Sequence, residues 1–336
     1  MIATNRRTLK KSGSFRQRIQ PRLQEIALVP AIVVALIAGA LVNDAFLTQQ
    51  NLINILQQSS ELAILVIGET LILLTGKFDL SLESIVGVGP MIAGWLVTDT
   101  VIGGSGLHLN AYLAVVILLL VGMLVGAING FLVARVKLNA FMVTLAMLIL
   151  LRGITVGLSN GRTLFDLPAP LVYLGSASWL GIPASVWIAG FLFLVVGLFL
   201  RYHSFGRAIY AVGGNPEAAR ASGIRVERVV WIVYIVGGAL AALAGLLLTG
   251  RLDSVLSGQG QNMIFTVFAA AVIGGIGLNG GRGTMFGALT GVLLLGTISN
   301  ILTLSQIPTF WINAAFGAII LAALVLARFT SGASEP

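Results

Sequence analysis

The longest uncharged stretch of the sequence limits the possible folds more than any other feature. No charged residue occurs from Gly283 to Ala327. A helix that crosses the hydrocarbon core of a membrane needs about 20 mostly apolar residues, so this stretch fits two helices better than one. A polar turn at Ser305, Gln306 and Pro308 divides it. Because only 10% of the residues are charged, against roughly 25% in soluble domains, we expect a membrane-embedded chain.

Similar apolar stretches recur along the chain and predict an all-α integral membrane protein with about ten transmembrane helices. The spans are expected at residues 26–42, 55–75, 80–98, 111–134, 139–158, 185–200, 229–250, 262–278, 284–302 and 309–327. They form one transmembrane domain, 26–328, between a basic N-terminal segment, 1–25, and a short tail, 329–336. Residues 26–42 lack a small-residue cleavage site, so we expect a retained helix rather than a cleaved signal peptide.

The distribution of lysine and arginine predicts the orientation of these helices. On one side of the membrane, the predicted spans place the seven basic residues of segment 1–25 together with Lys77, Arg135, Lys137, Arg201, Arg207, Arg220, Arg225, Arg228, Arg282 and Arg328. The other side receives Arg162 and Arg251, and Arg152 lies within a span. Cytoplasmic loops carry the excess of basic residues, so both termini are expected in the cytoplasm of a bacterium, with the chain in its cytoplasmic (inner) membrane. The net charge of +8 then reflects this topology and not a nucleic-acid partner.

Several chemistries are absent from the sequence. It has no cysteine, and its two histidines, His108 and His203, are far apart, so we expect no metal site. The one Gly-Lys pair, Gly76-Lys77, is followed by Phe78, which does not fit a phosphate-binding P-loop. No nucleophile–base arrangement is visible. The chain is therefore predicted not to be an enzyme and to bind no cofactor itself.

The longest loop on the basic side, 201–228, contains the pattern of a short, well-bounded helix. Asn215 suits the N-cap, and Pro216 suits the first helical position. Glu217 and Arg220 are placed favourably for the helix dipole, and Gly223 is the expected terminator. A helix in this position could transmit force between a soluble, energy-supplying protein and the membrane domain. From the residues alone, a plain connecting loop with one helical turn is an equal alternative.

The sequence around this loop resembles that of the ribose-type family of ABC importer permeases. That family comprises the membrane subunits of ribose, xylose, arabinose, galactose and autoinducer-2 importers. The likeness covers about residues 50–328, and its short motifs occur in the same order and spacing as in the family. They are Asn129-Gly130, Leu132-Val133, Val143-Thr144-Leu145, Arg152-Gly153, Gly161-Arg162, Phe205-Gly206-Arg207, Tyr210-Ala211-Val212-Gly213-Gly214-Asn215, Ala271-Val272-Ile273-Gly274-Gly275 and Gly280-Gly281-Arg282-Gly283.

The resemblance implies the ABC importer permease fold and a set of partners. ATP and Mg²⁺ would be used by a separate ATPase subunit, and a periplasmic or lipid-anchored binding protein would deliver a sugar-like solute. The ATPase would dock at a coupling segment, formed by Gly213, Gly214, Asn215, Pro216, Glu217, Ala218, Ala219, Arg220, Ser222 and Gly223. Lys77 and Glu83 stand where the family typically has glycine. Pairing with a second copy and pairing with a related permease both stay open.

Polar side chains within the predicted spans, or at the entrance to one, are candidates for the translocation path. They are Gln57, Glu61, Glu69, Asp79, Asn129 and Arg152. Ionisable groups in hydrocarbon are costly unless they face a cavity or a partner. These residues are therefore expected either to line the path and bind sugar hydroxyls, or to form internal ion pairs such as Arg152 with Glu69 or Asp79.

Two other classes of transporter remain as alternatives. A secondary transporter would use an ion gradient, and Glu61 and Glu69 would then carry protons. An ABC permease for nucleosides or branched-chain amino acids would share the fold and differ in solute.

Glycines recur at every fourth position in 122–130 and 283–291. Such glycines let helices pack closely. We expect them to serve packing within one chain, and a subunit interface is the alternative.

Overall fold

The computed structural model describes residues 28–331, with the backbone alone for residues 320 and 323–331. The predicted N-terminal segment 1–25 and residues 332–336 of the tail lie outside the described residues. The helices are α1 (Leu28–Val42), α2 (Gln49–Leu74), α3 (Leu82–Val97), a short 3₁₀ turn (Thr100–Ile102), α4 (Ala111–Ala134), α5 (Ala140–Ser159), α6 (Ala169–Ser176), α7 (Ala184–Tyr202), α8 (Ser204–Gly214), α9 (Pro216–Ala221), α10 (Val226–Leu252), α11 (Met263–Ile273), α12 (Met285–Leu304) and α13 (Thr309–Ser331).

Every predicted span overlaps one of these helices. Within the described range, six helices are long and apolar enough to cross a membrane, namely α2, α4, α5, α7, α10 and α12. The apolar helices α1, α3 and α11 are shorter, and so is Thr309–Ile319, the first part of α13. The chain is thus a multi-pass, mostly helical membrane protein.

Local side-chain chemistry explains where several helices begin. The side chain of Asn110 accepts a hydrogen bond from the Tyr112 N–H at 3.0 Å and starts α4. Asn139 accepts from the Met142 N–H at 3.2 Å and starts α5. Such N-caps satisfy backbone donors that have no partner within the helix. The limits of α4 and α5 therefore follow from the sequence at their ends.

Helix α10 lies at the centre of the fold and packs against α2, α3, α4 and α6. Glycines make its approach to α4 possible: a Cβ at Gly122 would fall on the carbonyl oxygen of Gly238, and a Cβ at Gly126 on that of Tyr234. Gly287 and Gly291 of α12 meet Gly274 and Ala270 in the same way. The expectation that spaced glycines serve packing within one chain is confirmed for these two helix pairs.

We expect Gly122→Leu to destabilise the protein by about 1–3 kcal/mol, because the added side chain must push α4 away from α10. Gly157→Leu is a matched control, since no atom lies within 4 Å of a Cβ built at Gly157. Thermal unfolding in detergent should show a lower midpoint for the first variant and little change for the second. Equal midpoints would contradict the close packing of α4 and α10.

Two regions differ from the sequence-based expectation. The span predicted at 262–278 is wrong at its end, because α11 stops at Ile273 and is followed by a turn with φ of +82° at Gly275 and +85° at Gly280. Residues 160–183, which the predicted spans 139–158 and 185–200 leave without a helix, contain α6 and a hairpin of two short strands, β1 (Ser178–Trp179) and β2 (Ile182–Pro183). Gly175 of α6 packs against the backbone of Leu247 and Gly250 in α10.

Candidate functional site

The predicted short helix in loop 201–228 is present as α9. The Asn215 side chain accepts hydrogen bonds from the N–H groups of Glu217 and Ala218, both at 3.0 Å. Pro216 occupies the first turn, and Gly223 follows the helix with φ of +83°. The predicted cap, first residue and terminator are therefore confirmed. Ala219 is buried, whereas Asn215 and Glu217 are exposed.

An ion pair joins α9 to the start of α10. The Arg220 guanidinium donates to the Glu227 carboxylate at 2.8 Å. Both side chains are partly exposed, so the pair contributes only about 0–1 kcal/mol to stability. Its effect is to fix the direction in which the short helix lies. The N-terminal end of α9, which comprises Asn215, Pro216, Glu217 and Ala218, is exposed.

A second helix, α8, precedes α9 and includes Gly213 and Gly214 in its last turn, where the sequence had suggested a loop. A Cβ at Gly213 would fall on the carbonyl oxygen of Leu74 and 2.5 Å from the nitrogen of Gly281. That nitrogen itself donates to the Leu74 carbonyl at 2.9 Å. The end of α8 therefore touches two other segments at once.

Leu74 is the last residue of α2, directly before one turn, and Gly281 lies within another; both turns join consecutive membrane helices. The first, 75–81, joins α2 to α3 and contains Gly76 with φ of +72°. The second, 274–284, joins α11 to α12 and contains Gly281 with φ of +68°. Left-handed backbone of this kind is accessible to glycine without strain. The end of α8 is thus in contact with the end of α2 and with the second turn.

A buried polar cluster surrounds the last residues of the first turn. The Asp79 carboxylate accepts from the hydroxyl of Ser81 at 2.6 Å and from its backbone N–H at 2.9 Å. Asn129 donates to the same hydroxyl at 2.8 Å, and the Asp79 N–H donates to Glu69 at 3.4 Å. Tyr234 donates to the carbonyl of Phe78 at 2.7 Å. Glu69, Asp79 and Asn129 are fully buried, so this cluster ties α2, α4 and α10 to the turn.

Arg152 forms its ion pair with a different acid from the one expected. It pairs with Glu83 at 3.3 Å, and the expected pairing with Glu69 or Asp79 is wrong. The other oxygen of Glu83 accepts from the backbone N–H of Ile264, the second residue of α11, at 3.3 Å. Glu83 also stands in the first turn of α3. One carboxylate therefore joins the starts of α3 and α11 to the middle of α5.

A third polar contact lies nearer the start of α2. Glu61, with a side chain 2% exposed, pairs with Arg251 at 2.7 Å. One turn earlier, Gln57 donates to the carbonyl of Gly175 in α6 at 3.3 Å. Arg251 had been assigned to an outer loop, whereas it lies in the last turn of α10. The pair fixes the end of α10 to α2.

The six sequence candidates thus fall into three separate groups. Glu69, Asp79 and Asn129 share the buried cluster, Arg152 belongs to the Glu83 pair, and Glu61 and Gln57 lie near Arg251 and α6. Only Gln57 and Arg152 of these six are partly exposed. Within residues 28–331, no group of three potential metal-ligating side chains comes together.

Sequence reasoning missed the contribution of Gln259. Its amide donates to the carbonyls of Val86 and Gly245 and to the Thr249 hydroxyl, at 3.0–3.2 Å. These bonds hold the segment between α10 and α11 against α3. No local pattern predicts these contacts of Gln259. Val86 is distant in sequence, and Gly245 and Thr249 come within reach only because the chain reverses direction after α10. Ser81, by contrast, follows Asp79 closely enough that a turn motif could have suggested it.

Comparisons with known proteins agree with one another. The family described as branched-chain amino acid transport system / permease component matches residues 51–326. The ribose import permease protein RbsC of Escherichia coli (strain K12) is 37% identical over 308 residues, covering 90% of this chain and 93% of that protein. RbsC of Bacillus subtilis (strain 168) is 33% identical, covering 91% and 93%.

A relative with another name is nearly as similar. The autoinducer 2 import system permease protein LsrC of Shigella flexneri is 34% identical, covering 90% of this chain and 86% of that protein. No solved structure matches the chain. The family match covers most of the chain, as does each of these relatives. The chain is a member of the branched-chain amino acid transport system / permease component family.

Proposed function

We propose that this chain is the membrane-spanning permease subunit of an ATP-driven importer for a sugar or sugar-like solute. The main support for the proposal is the arrangement of α8 and α9: α9 is a capped, exposed helix, and its neighbour α8 touches both the end of α2 and the turn between α11 and α12. Force applied to α9 would reach the end of α2 and the turn between α11 and α12 through Gly213. The names of the relatives, ribose and autoinducer 2 import permeases, support a sugar-like solute.

The partners follow from this role. ATP and Mg²⁺ are used by separate ATPase subunits, which dock on Asn215, Glu217 and their neighbours, so the chain itself is not an enzyme. A periplasmic or lipid-anchored binding protein delivers the solute on the opposite side. The chain crosses the cytoplasmic membrane about ten times with both termini in the cytoplasm, and it pairs with a second permease copy or a related permease.

The buried clusters have a structural part in this scheme. Glu69, Asp79 and Asn129 hold the first turn in place, while Gln57 and Arg152 are the partly exposed candidates for contact with a passing solute. A weak solute site suits a permease that receives its solute from a binding protein. Specificity then lies mainly with that protein.

The identity of the solute can be tested by uptake. Cells that express the chain with its ATPase and binding protein are given labelled ribose, with unlabelled autoinducer 2, xylose, a nucleoside or leucine as competitors. We expect sugar-like competitors to reduce uptake and leucine and the nucleoside to leave it unchanged. In a parallel assay with labelled leucine, uptake of leucine without uptake of any sugar would instead assign the chain to amino-acid import, as the family description allows.

The cap of α9 gives a more local prediction. Asn215→Ala removes the acceptor for two backbone N–H groups, which costs about 1 kcal/mol in a six-residue helix with little other support. We expect several-fold lower solute uptake and weaker stimulation of the ATPase, at unchanged membrane abundance. Asn215→Asp retains the cap and should restore both quantities. If Asn215→Ala transports normally, α9 does not need its helical form to couple the subunits.

A further inference from the structure

A groove of about 1050 Å³ lies between α7 and the start of α12, outside the polar clusters described above. Its α7 side includes Gly190, Leu194 and Gly197, and its α12 side includes Met285 and Leu289. Gly190 and Gly197 are seven residues apart and so share one helix face. A Cβ at Gly190 would meet no atom within 4 Å. At Gly190 the groove therefore has open space, and apolar side chains flank it.

Two arginine side chains make one end of the groove positively charged. Arg201, in the last turn of α7, and Arg207, in the first turn of α8, line the end nearest α8. No aspartate or glutamate lines it, and neither arginine forms an ion pair with any residue in the described range. Arg207 donates to the Tyr202 carbonyl at 3.0 Å, and the Arg201 guanidinium lies 5.4 Å from the Tyr202 ring centre. Both cations are held at the groove and remain exposed.

The length of the groove matches one leaflet of a membrane. From Gly190 to Arg201, α7 rises by about 16 Å, and half of a hydrocarbon core of about 30 Å is about 15 Å. An apolar channel of that length, capped by two cations, has the dimensions and charge of a lipid acyl chain below an anionic headgroup. Arginine is well suited to bind phosphate through several N–H donors.

We propose that this groove binds an anionic phospholipid of the cytoplasmic leaflet, with its phosphate at Arg201 and Arg207 and an acyl chain along Gly190 and Gly197. The choice of leaflet depends on the orientation proposed above. Binding itself does not depend on transport, because it can be measured on the purified chain without the ATPase or the binding protein. Failure of the uptake experiments would therefore leave this proposal untouched.

The charge requirement can be tested by native mass spectrometry of the purified chain. Phosphatidylglycerol is compared with phosphatidylcholine of the same acyl chains. Because each basic residue near an anionic headgroup contributes about 1 kcal/mol, the double variant Arg201→Gln/Arg207→Gln should bind phosphatidylglycerol roughly 30-fold more weakly. Arg135→Gln/Lys137→Gln removes two exposed positive charges from the same side of the protein, outside the groove.

We expect this control to bind phosphatidylglycerol within about twofold of the parent chain, since its charges are not at the groove. The parent chain should also prefer phosphatidylglycerol to phosphatidylcholine. Equal binding of the two lipids, or equal losses in the two double variants, would show that general surface charge is the cause and would overturn the proposal.

The acyl-chain requirement needs a variant that keeps both arginines. Gly190→Leu places a side chain in open groove space, so the fold should tolerate it while lipid binding falls about tenfold or more. Unchanged lipid binding in Gly190→Leu would overturn the proposal. The chain has no cysteine, so Leu194→Cys introduces a single reactive site. Efficient cross-linking of two copies through this cysteine would show that a second copy fills the groove, which would also overturn it.

Discussion

Gly213→Ala is expected to reduce solute uptake by about tenfold or more while leaving the chain in the membrane. A Cβ at Gly213 would fall on the Leu74 carbonyl oxygen and 2.5 Å from the Gly281 nitrogen, and both are backbone atoms that cannot rotate away. The hydrogen bond of 2.9 Å between those two atoms would have to lengthen or break. Overpacking of this kind costs about 1–3 kcal/mol, which is enough to shift a two-state equilibrium by about tenfold.

Gly214→Ala is the matched control for this experiment. It lies next in the same helix, is exposed, and has no atom within 4 Å of its added Cβ. Although Gly214 belongs to the predicted docking segment, its added methyl group displaces no backbone, so uptake and ATPase stimulation should be clearly higher than in Gly213→Ala. If both variants transport equally well, the contact of α8 with Leu74 and Gly281 is not part of coupling, and the proposed route of force is wrong.

Arg251→Met is expected to produce the largest loss of stability, about 3 kcal/mol. The Glu61 side chain is 2% exposed, and removal of its partner would leave a carboxylate without compensation. Breaking a buried ion pair from one side costs about 3–5 kcal/mol, and we expect the lower end because the Arg251 side chain is 28% exposed. The midpoint of thermal unfolding in detergent should fall by several degrees.

A double-mutant cycle separates the ion pair from other effects of the substitution. Glu61→Gln/Arg251→Met contains no unpaired charge, so it should recover most of the lost stability. Arg162→Met removes an exposed arginine that forms no ion pair with the described residues, and it should have little effect. Equal destabilisation by Arg251→Met and Arg162→Met would contradict a stabilising role for the pair with Glu61.

Features that depend on neighbouring residues could be predicted from the sequence. Asn215, Pro216 and Gly223 define α9 through capping and termination rules that involve only a few consecutive residues. The apolar spans also follow from local composition, because each must satisfy its own backbone hydrogen bonds in lipid. The family motifs around Gly213 further indicated a coupling segment, although not that α8 would carry this glycine.

Features that depend on distant residues could not be predicted in this way. Arg152 could have paired with any acid in a neighbouring span, and Glu83 is selected because α3 begins beside the middle of α5. The early end of α11 at Ile273 likewise follows from a glycine-rich turn that packs on Leu74 and Gly213. Hydropathy does not detect such a turn, because glycine changes the backbone without adding charge.

The energy source of uptake tests the central claim most directly. Cells that express the chain with its ATPase and binding protein would receive labelled ribose after either ATP depletion or treatment with an uncoupler that leaves ATP high. An ATP-driven importer loses uptake on ATP depletion and retains it in uncoupled cells. Loss of uptake in uncoupled cells with high ATP would instead identify a gradient-driven carrier and contradict the coupling role of α8 and α9.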